Sequence, residues 1–264
     1  GCRFFTATCE KVPFVDELVL EELDEAHSPD FIYREHNYYE PRVYTKFAVK
    51  SRLNGQQHPI SEKYGGHIQY SWFVHSFENI VSPEEYGETH PEYFAMDKEG
   101  VRMLTPYKNQ LCLSNPELVP IAVAAVRKNL TEHPEAEIVS ISQNDWSLDC
   151  QCPECRRINE EEGASSGTLI RFVNAVAEEL EPEFPKVTFD TVAYQYTRNA
   201  HKVRPRHNVC VRLCSIECCF AHAFEECSRE RNMAFVKDIR DWHGTGAQLY
   251  IWDYTTCFNY YPTP

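Results

Sequence analysis

Asn144, Asp145 and Trp146 follow a short apolar run in the stretch EIVSISQNDWSLDCQCPECRRI, residues 137–158. The apolar positions 138–141 are typical of a buried strand. A carboxylate at the end of a strand can protonate a leaving oxygen, while an amide and an indole beside it can bind substrate. The stretch therefore predicts a catalytic site at which Asn144 and Asp145 act on the substrate. Because an Asp between a strand and a helix is also a common cap, a structural role for Asp145 is the alternative.

Polar and aromatic residues also follow the other predicted strands. In parallel α/β folds these strand ends share one face, where functional groups collect. The residues that we expect to meet there are His75, Asn144, Asp145, Trp146, Tyr194, Tyr196, Glu217, Trp252, Asp253 and Tyr254. Carboxylates, amides and flat rings suit a sugar, because rings pack against its C–H surface and polar groups bind its hydroxyls. Paired acids can stabilise an oxocarbenium-like transition state, so the pattern favours a glycosidase.

Structural roles are the alternative for several of these residues. Glu217 precedes two adjacent cysteines, and His75 could be a hydrogen-bonded core imidazole. Tyr194 and Trp252 could fill the interior of a barrel, since alternate strand residues point inward whatever the function.

The chain contains twelve cysteines, three of which form the motif C-x-C-x-x-C at Cys150, Cys152 and Cys155. A structural zinc ion takes about four thiolate or imidazole ligands, and this motif provides only three. We therefore expect no cofactor and no catalytic metal. A structural metal, if one is bound, would use these three cysteines, whereas in a secreted protein the motif could form a disulfide instead.

Composition narrows the class of partner. The net charge of −14, from 40 acidic and 26 basic residues, disfavours nucleic acid, because such a field repels phosphate backbones. A neutral glycan would not be repelled. No apolar run approaches the roughly 20 residues that a membrane span requires, and a hydrophobic content of 42% is ample for a packed core.

Short apolar strands alternate with amphipathic helices from residue 31 onward. Strands are predicted over 30–35, 65–77, 109–114, 137–142, 186–197, 208–218 and 247–258. Helices are predicted over 45–54, 116–130, 168–181 and 232–242. This alternation favours an α/β fold with a parallel sheet. We predict a (β/α)₈ TIM-type barrel that is truncated before its last unit, in a chain that is a fragment at both ends. An open doubly wound sheet is the alternative, although no Gly-rich phosphate loop follows the first strand.

Several segments are similar to one family of bacterial proteins. The segments are THPEYFAM, NQLCLSNPEL, VSISQNDWSLDCQCPECRRI, EEGASSGTLIRFVNAVAEEL, TVAYQYTRNAHKVRPRHNVCVRLCSIECCF and LYIWDYTTCFNYY. Together they resemble the domain of unknown function 4838, a group linked to glycoside hydrolase family 163. The resemblance implies a catalytic (β/α)₈ barrel over residues 28–264, and it implies that residues 1–27 are the tail of a preceding small α/β domain with a linker.

The same resemblance implies an activity and a location. Members are secreted bacterial enzymes, so a secreted, periplasmic or cell-surface protein is expected. Their activity is that of a retaining endo-β-N-acetylglucosaminidase, which cuts the chitobiose core of complex N-glycans. The expected partner is therefore a glycan or glycoprotein.

A more distant likeness to family 20 hexosaminidases suggests individual roles. There an Asp-Glu pair ends the fourth strand: the Asp orients the substrate acetamido group as an internal nucleophile, and the Glu is the general acid/base. By analogy Asp145 is the general acid/base, buried against Trp146, and Asn144 holds the acetamido group with help from Tyr194. Because Asn144 is neutral, it would act through hydrogen bonding alone, or a negative charge would come from Glu217, from Asp253 or from an acid in the missing eighth unit.

Three other functions fit parts of the pattern. Another glycosidase on the same barrel, α-glucuronidase-like or an exo-hexosaminidase, would keep the acids. A non-catalytic carbohydrate-binding barrel would keep the aromatic residues. A zinc-stabilised structural module would use the cysteines.

Overall fold

The structure is a computed structural model that describes residues 2–17, 19 and 22–254. It divides the chain into two units, residues 1–70 and 71–264, and each is described by itself. The elements of the first unit are β1 (Arg3–Phe4), β2 (Glu10–Lys11), α1 (Tyr39–Val43), α2 (Thr45–Lys50) and a 3₁₀ turn at Glu62–Tyr64. The two short strands pair in antiparallel fashion.

The strand predicted over 30–35 is wrong. Its backbone is irregular and pairs with one residue instead of a sheet neighbour: Arg34 N donates to Asn54 Oδ1 at 2.9 Å, and Asn54 N donates to Arg34 O at 3.0 Å. The helix predicted over 45–54 is confirmed as α2, but it ends earlier, at Lys50. Arg52, with φ of 59°, turns the chain away.

The second unit contains the larger sheet and most of the helices. Its strands are β3 (Ile138–Ser140), β4 (Thr188–Ala193), β5 (Val209–Cys214) and β6 (Gln248–Trp252). Its helices are α3 (Phe77–Ile80), α4 (Pro83–Tyr86), α5 (Leu118–Glu132), α6 (Pro153–Glu162), α7 (Ser166–Leu180) and α8 (Glu230–Gly244). Short 3₁₀ turns lie at Pro91–Tyr93 and Gln195–Thr197.

The helices predicted over 116–130, 168–181 and 232–242 are confirmed as α5, α7 and α8. Sequence periodicity missed α6, because few of its residues are apolar and only Cys155, Ile158 and Glu162 are buried. Its ends nevertheless carry standard signals: Pro153 occupies the first turn, and Gly163, with φ of 85°, follows the last residue.

The four strands form a parallel sheet in the order β3-β4-β5-β6, so sequential strands are neighbours. One face is apolar and packs against helices. The buried residues of that interface include Val139, Ile141, Phe189, Val209, Val211, Leu213, Val126, Phe172, Val173, Phe235 and Trp242, contributed by the strands and by α5, α7 and α8. The strands predicted at 137–142, 186–197, 208–218 and 247–258 are confirmed, except that residues 255–258 lie outside the described residues.

The opposite face of the sheet is polar although it is buried. Asp190 on β4 and Arg212 on β5 form an ion pair with a separation of 3.1 Å, and Ser140 on β3 donates to Asp190 Oδ1 at 2.9 Å. Their alternation with the apolar residues follows from the period of two in a strand. The described part of the chain is thus mixed α/β with a parallel sheet of four strands.

Two other predicted strands do not join this sheet as regular strands. Residues 71–77 run beside β3, where Ser71 N donates to Ile138 O at 3.0 Å and Ser140 N donates to Trp72 O at 3.1 Å. The prediction of a sheet strand over 109–114 is wrong, because Leu111 forms an isolated antiparallel bridge with Phe94. A run of six residues that fits a strand pattern can equally line a loop when its neighbours supply the backbone partners.

Candidate functional site

The loops that follow the strands bring several predicted residues together. We call residues 73–78, 143–146, 194–195 and 252–254, with Asn109, the strand-end site. Asp145 lies in the loop after β3, and Gln195 Nε2 donates to its Oδ1 at 3.4 Å. Burial raises the pKa of Tyr194; the hydrogen bond with Gln195 opposes this effect and the charge of Asp145 reinforces it.

The expectation that Asp145 is buried against Trp146 is wrong, because its side chain is exposed. Trp146 itself is only partly exposed, and its Nε1 is buried without a hydrogen-bond acceptor. Lys108 lies over the indole, 5.9 Å from the ring centroid. The carboxylate of Asp145 is therefore open to a ligand arriving from solvent.

Asn144, by contrast, is only 2% exposed. Its Nδ2 donates to Asn109 O and Asn109 Oδ1, both at 3.1 Å, and to Glu78 Oε2 at 3.3 Å. Its backbone N donates to Gln110 Oε1 at 3.0 Å, and its carbonyl accepts from Gln110 Nε2 at 2.8 Å. The buried Oδ1 has no donor, and such an acceptor costs about 1–3 kcal/mol unless a ligand satisfies it.

Glu78 is a site residue that the sequence reasoning missed. Besides Asn144, its carboxylate accepts from Asn109 Nδ2 at 3.2 Å and from the backbone N of Tyr107 at 3.3 Å. A signal existed, because Glu78 comes directly after the run predicted as the second strand. The carboxylate supplies a negative charge next to the amide of Asn144.

Strained backbone is concentrated around this site. Of the five non-glycine residues with positive φ in the described chain, four adjoin the residues above: Val74 (33°), His75 (47°), Tyr107 (60°) and Gln195 (53°). A positive φ is unfavourable for a β-branched residue such as Val74. The ring of His75 helps to hold the turn, because its Nδ1 lies 2.9 Å from Gln143 O. Strain of this kind clusters at functional sites.

Aromatic rings line the strand-end site near β6. Trp252 and Tyr254 are stacked with centroids 6.2 Å apart and planes at 12°, and Phe73 lies 5.5 Å from Trp252. Burial raises the pKa of Tyr254 to about 12. Asp253 is exposed and accepts from Ser215 Oγ at 2.8 Å. Flat rings and an exposed carboxylate here can bind a polyhydroxylated ligand.

Glu217 and Tyr196 lie in other surroundings. The Glu217 carboxylate pairs with Arg198 at 2.8 Å, and Arg198 in turn binds Asp238 at 2.6 Å. Tyr196 lines a small cavity with Cys150, Cys155 and other residues, and burial raises its pKa well above the ordinary value. These two side chains therefore lie outside the strand-end site, and their predicted roles remain predictions.

The structure brings a fourth cysteine to the motif. Cys112 lies 3.6 Å from Cys152 and 4.0 Å from Cys155, measured between sulfur atoms. We call Cys112, Cys150, Cys152 and Cys155 the cysteine site. Hydrogen bonds with Cys150 and Cys155 lower the pKa of Cys112 far below its usual value. The hydrogen bond with Cys112 raises the pKa of Cys150 to about 12.

A second, smaller group of possible metal ligands consists of Cys219, His222 and Cys227. Cys219 Sγ and His222 Nδ1 lie 3.2 Å apart, and this hydrogen bond lowers the pKa of Cys219 to about 7. The group offers three ligands and is partly exposed.

Residues 4–264 match the family described as domain of unknown function DUF4838. A search of curated proteins finds no match. Among the helices of the described residues, none is long and apolar enough to cross a bilayer. Since the match covers nearly the whole sequence, the chain belongs to the DUF4838 family.

Proposed function

We propose that this protein is a glycoside hydrolase that acts beside an N-acetylglucosamine residue. More specifically, it is a retaining endo-β-N-acetylglucosaminidase of the kind found in glycoside hydrolase family 163, with complex N-glycans as its substrate. Such a substrate implies a secreted, periplasmic or cell-surface location. The observation that carries the proposal is the exposed carboxylate of Asp145 next to the buried amide of Asn144, whose Oδ1 lacks a donor.

We further propose that the parallel sheet is part of a (β/α)₈ barrel. Its strands are neighbours in sequential order, and α5, α7 and α8 all pack on one face. When each strand is added on the same side of the one before it, right-handed crossovers place every helix on the same face of the sheet, as in a barrel. In a doubly wound sheet the strand order reverses at one point, so that helices cover both faces. The buried polar face with Asp190 and Arg212 would then be the barrel interior. The strand-end site would lie at its carboxyl-terminal opening, where barrel enzymes place their active sites.

In the proposed reaction the substrate supplies its own nucleophile. The acetamido oxygen of the sugar attacks the anomeric carbon while the bond from that carbon to the leaving oxygen breaks, and Asp145 gives its proton to that oxygen. Water then attacks the anomeric carbon of the oxazolinium ion and releases a proton to Asp145. The bond between the acetamido oxygen and the anomeric carbon breaks, and its electron pair returns to the acetamido group. The anomeric carbon is inverted in each of the two steps, so its configuration is retained overall.

Three side chains assist this reaction. Asn144 Oδ1 accepts the acetamido N–H, which satisfies the buried acceptor and turns the acetamido oxygen toward the anomeric carbon. The carboxylate of Glu78, 3.3 Å from Asn144 Nδ2, offsets the positive charge that develops on the acetamido group. Tyr194, whose pKa the nearby charge of Asp145 helps to raise, orients the acid. In this proposal Glu78 takes the electrostatic part that sequence reasoning gave to Glu217 or Asp253.

The test is mass spectrometry of the products after incubation with a glycoprotein that bears complex N-glycans. We expect released glycans that end in a single reducing N-acetylglucosamine. Asp145→Asn should lower turnover at least ~100-fold, because general acid catalysis contributes about that factor or more. Asp241→Asn is the matched control, since Asp241 is exposed on α8 and paired with Lys237.

Two outcomes would contradict the proposal. Intact glycoprotein with the unaltered protein would favour a carbohydrate-binding barrel, for which the stacked Trp252 and Tyr254 are suited. A folded Asp145→Asn variant with normal turnover would remove Asp145 from the mechanism. An α-glucuronidase-like activity has less support, because Arg198 and Arg212 are engaged with Asp238 and Asp190.

A further inference from the structure

The cysteine site has the dimensions of a tetrahedral metal site. All four sulfur atoms lie within 4.8 Å of one another, and two of the separations are 3.6 and 4.0 Å. A zinc ion about 2.3 Å from each of four sulfurs at tetrahedral angles separates the sulfurs by about 3.8 Å. The observed separations therefore fit one ion at the centre of the group.

The local backbone is arranged as at a thiolate site. Cys152 caps α6, and the backbone N of Cys155 donates to Cys152 Sγ at 3.4 Å. The backbone N of Met96 donates to Cys150 Sγ at 3.3 Å. The positive charge of Arg102 also acts on Cys112, Cys150 and Cys152. These donors stabilise negative charge on sulfur, which metal-bound cysteines carry.

Disulfides or free thiols explain the arrangement less well. A disulfide joins sulfurs at about 2.05 Å and uses them in pairs, whereas here four sulfurs are mutually close. Each of the four cysteines is between 2% and 7% exposed. Four buried thiols would have only weak S–H hydrogen bonds among themselves and with Ser114.

We propose that Cys112, Cys150, Cys152 and Cys155 bind one Zn²⁺ ion in a closed structural site. Binding releases the four thiol protons and leaves a zinc tetrathiolate with two negative charges, which the guanidinium of Arg102 partly offsets. With all four positions taken by protein, the ion has no place for substrate and is not catalytic.

The ion would fasten the loop that carries the candidate acid. Cys150 and Cys152 end the loop that begins at Asn144, and Cys112 belongs to the neighbouring segment. Gln110 in that segment already binds Asn144 O at 2.8 Å and Trp146 O at 2.7 Å. A zinc ion would therefore cross-link two segments that position Asn144 and Asp145. The metal site does not depend on the proposed glycosidase activity.

The first measurement is the metal content of the purified protein by inductively coupled plasma mass spectrometry. We expect one zinc per chain in the unaltered protein and its loss in Cys112→Ser. Cys210→Ser is the matched control: it alters a buried cysteine of β5 that belongs to neither group of possible metal ligands, and it should keep the zinc. Far-ultraviolet circular dichroism reports whether each variant folds.

X-ray absorption at the zinc edge of the unaltered protein tests the same proposal without any variant. Four sulfur ligands at about 2.3 Å are expected. The proposal is overturned if the purified protein contains no zinc or contains iron instead. It is also overturned if nitrogen or oxygen atoms coordinate the zinc ion. A disulfide within the cysteine site, found by non-reducing peptide mapping, would also overturn it. Since no glycan is involved in these measurements, their outcome is separate from that of the product analysis.

Discussion

Arg212→Met should destabilise the protein strongly, because it leaves a buried carboxylate without its counter-charge. Arg212 and Asp190 are 6% and 0% exposed as side chains, and Arg212 Nε and Nη2 lie 3.2 and 3.1 Å from Asp190 Oδ2. Removing one partner of a buried pair costs about 3–5 kcal/mol. We therefore expect the free energy of unfolding to fall by about 4 kcal/mol.

Aromatic contacts add a smaller contribution. The guanidinium carbon lies 5.2 Å from the ring centroid of Phe73, 5.5 Å from that of Tyr250 and 5.9 Å from that of Trp252. Each cation–π contact is worth about 0.5–1 kcal/mol or more when desolvated. Methionine keeps much of the packing but loses this attraction.

The assay is urea denaturation followed by circular dichroism, with Asp190→Leu and the double variant completing a cycle. The double variant should be markedly more stable than either single variant, because two apolar residues can replace a buried pair at little cost. An Arg212→Met variant within about 1 kcal/mol of the unaltered protein would refute the reasoning. It would show that the buried carboxylate of Asp190 does not depend on Arg212.

Three further predictions concern pH, the second carboxylate and the core. Burial lowers the pKa of His201 from 6.5 to about 4. As the pH falls, the unfolded chain is therefore protonated at His201 before the folded chain is. The stability that the neutral, buried imidazole contributes is complete above about pH 6.5 and is lost toward pH 4. Between pH 7 and pH 4 the free energy of unfolding, measured by urea titration, should therefore fall by roughly 3 kcal/mol more in the unaltered protein than in His201→Gln. Equal losses in the two proteins would contradict a lowered pKa for His201. Glu78→Gln should lower kcat on the N-glycan substrate about 100-fold while far-ultraviolet circular dichroism stays unchanged, and an unchanged kcat would return Glu78 to a purely structural role. Phe189→Ala, at a fully buried position, should lower the free energy of unfolding by about 3–5 kcal/mol in urea denaturation. Met233→Ala, at a position 54% exposed, should change it by less than about 0.5 kcal/mol. Similar losses in the two variants would be evidence against the packing of Phe189 in the core.

Features that depend only on neighbouring residues could be predicted from the sequence. The amphipathic spacing of α5 and α7 and the apolar runs of β4 and β5 reflect a single buried face or strand, and each was predicted near its observed bounds. Family membership was readable for the same reason, because it depends on residues in their order along the chain. The α/β class with a parallel sheet followed from the alternation of these elements.

Features that depend on distant segments were not readable. The sequence could not pair Cys112 with the motif at Cys150, because nothing in the spacing indicates that a loop before α5 returns to the start of α6. The sequence could not predict that the carboxylate of Asp145 is exposed while the amide of Asn144 is buried. The side chains of adjacent loop residues point in directions that depend on their hydrogen-bond partners elsewhere in the chain. The sequence by itself thus determined the four strands of the parallel sheet, the long helices α5, α7 and α8, the family and the types of residue available for chemistry. Only the tertiary structure decided which of them meet, because hydrogen bonds and sulfur contacts require closeness in space and not in sequence.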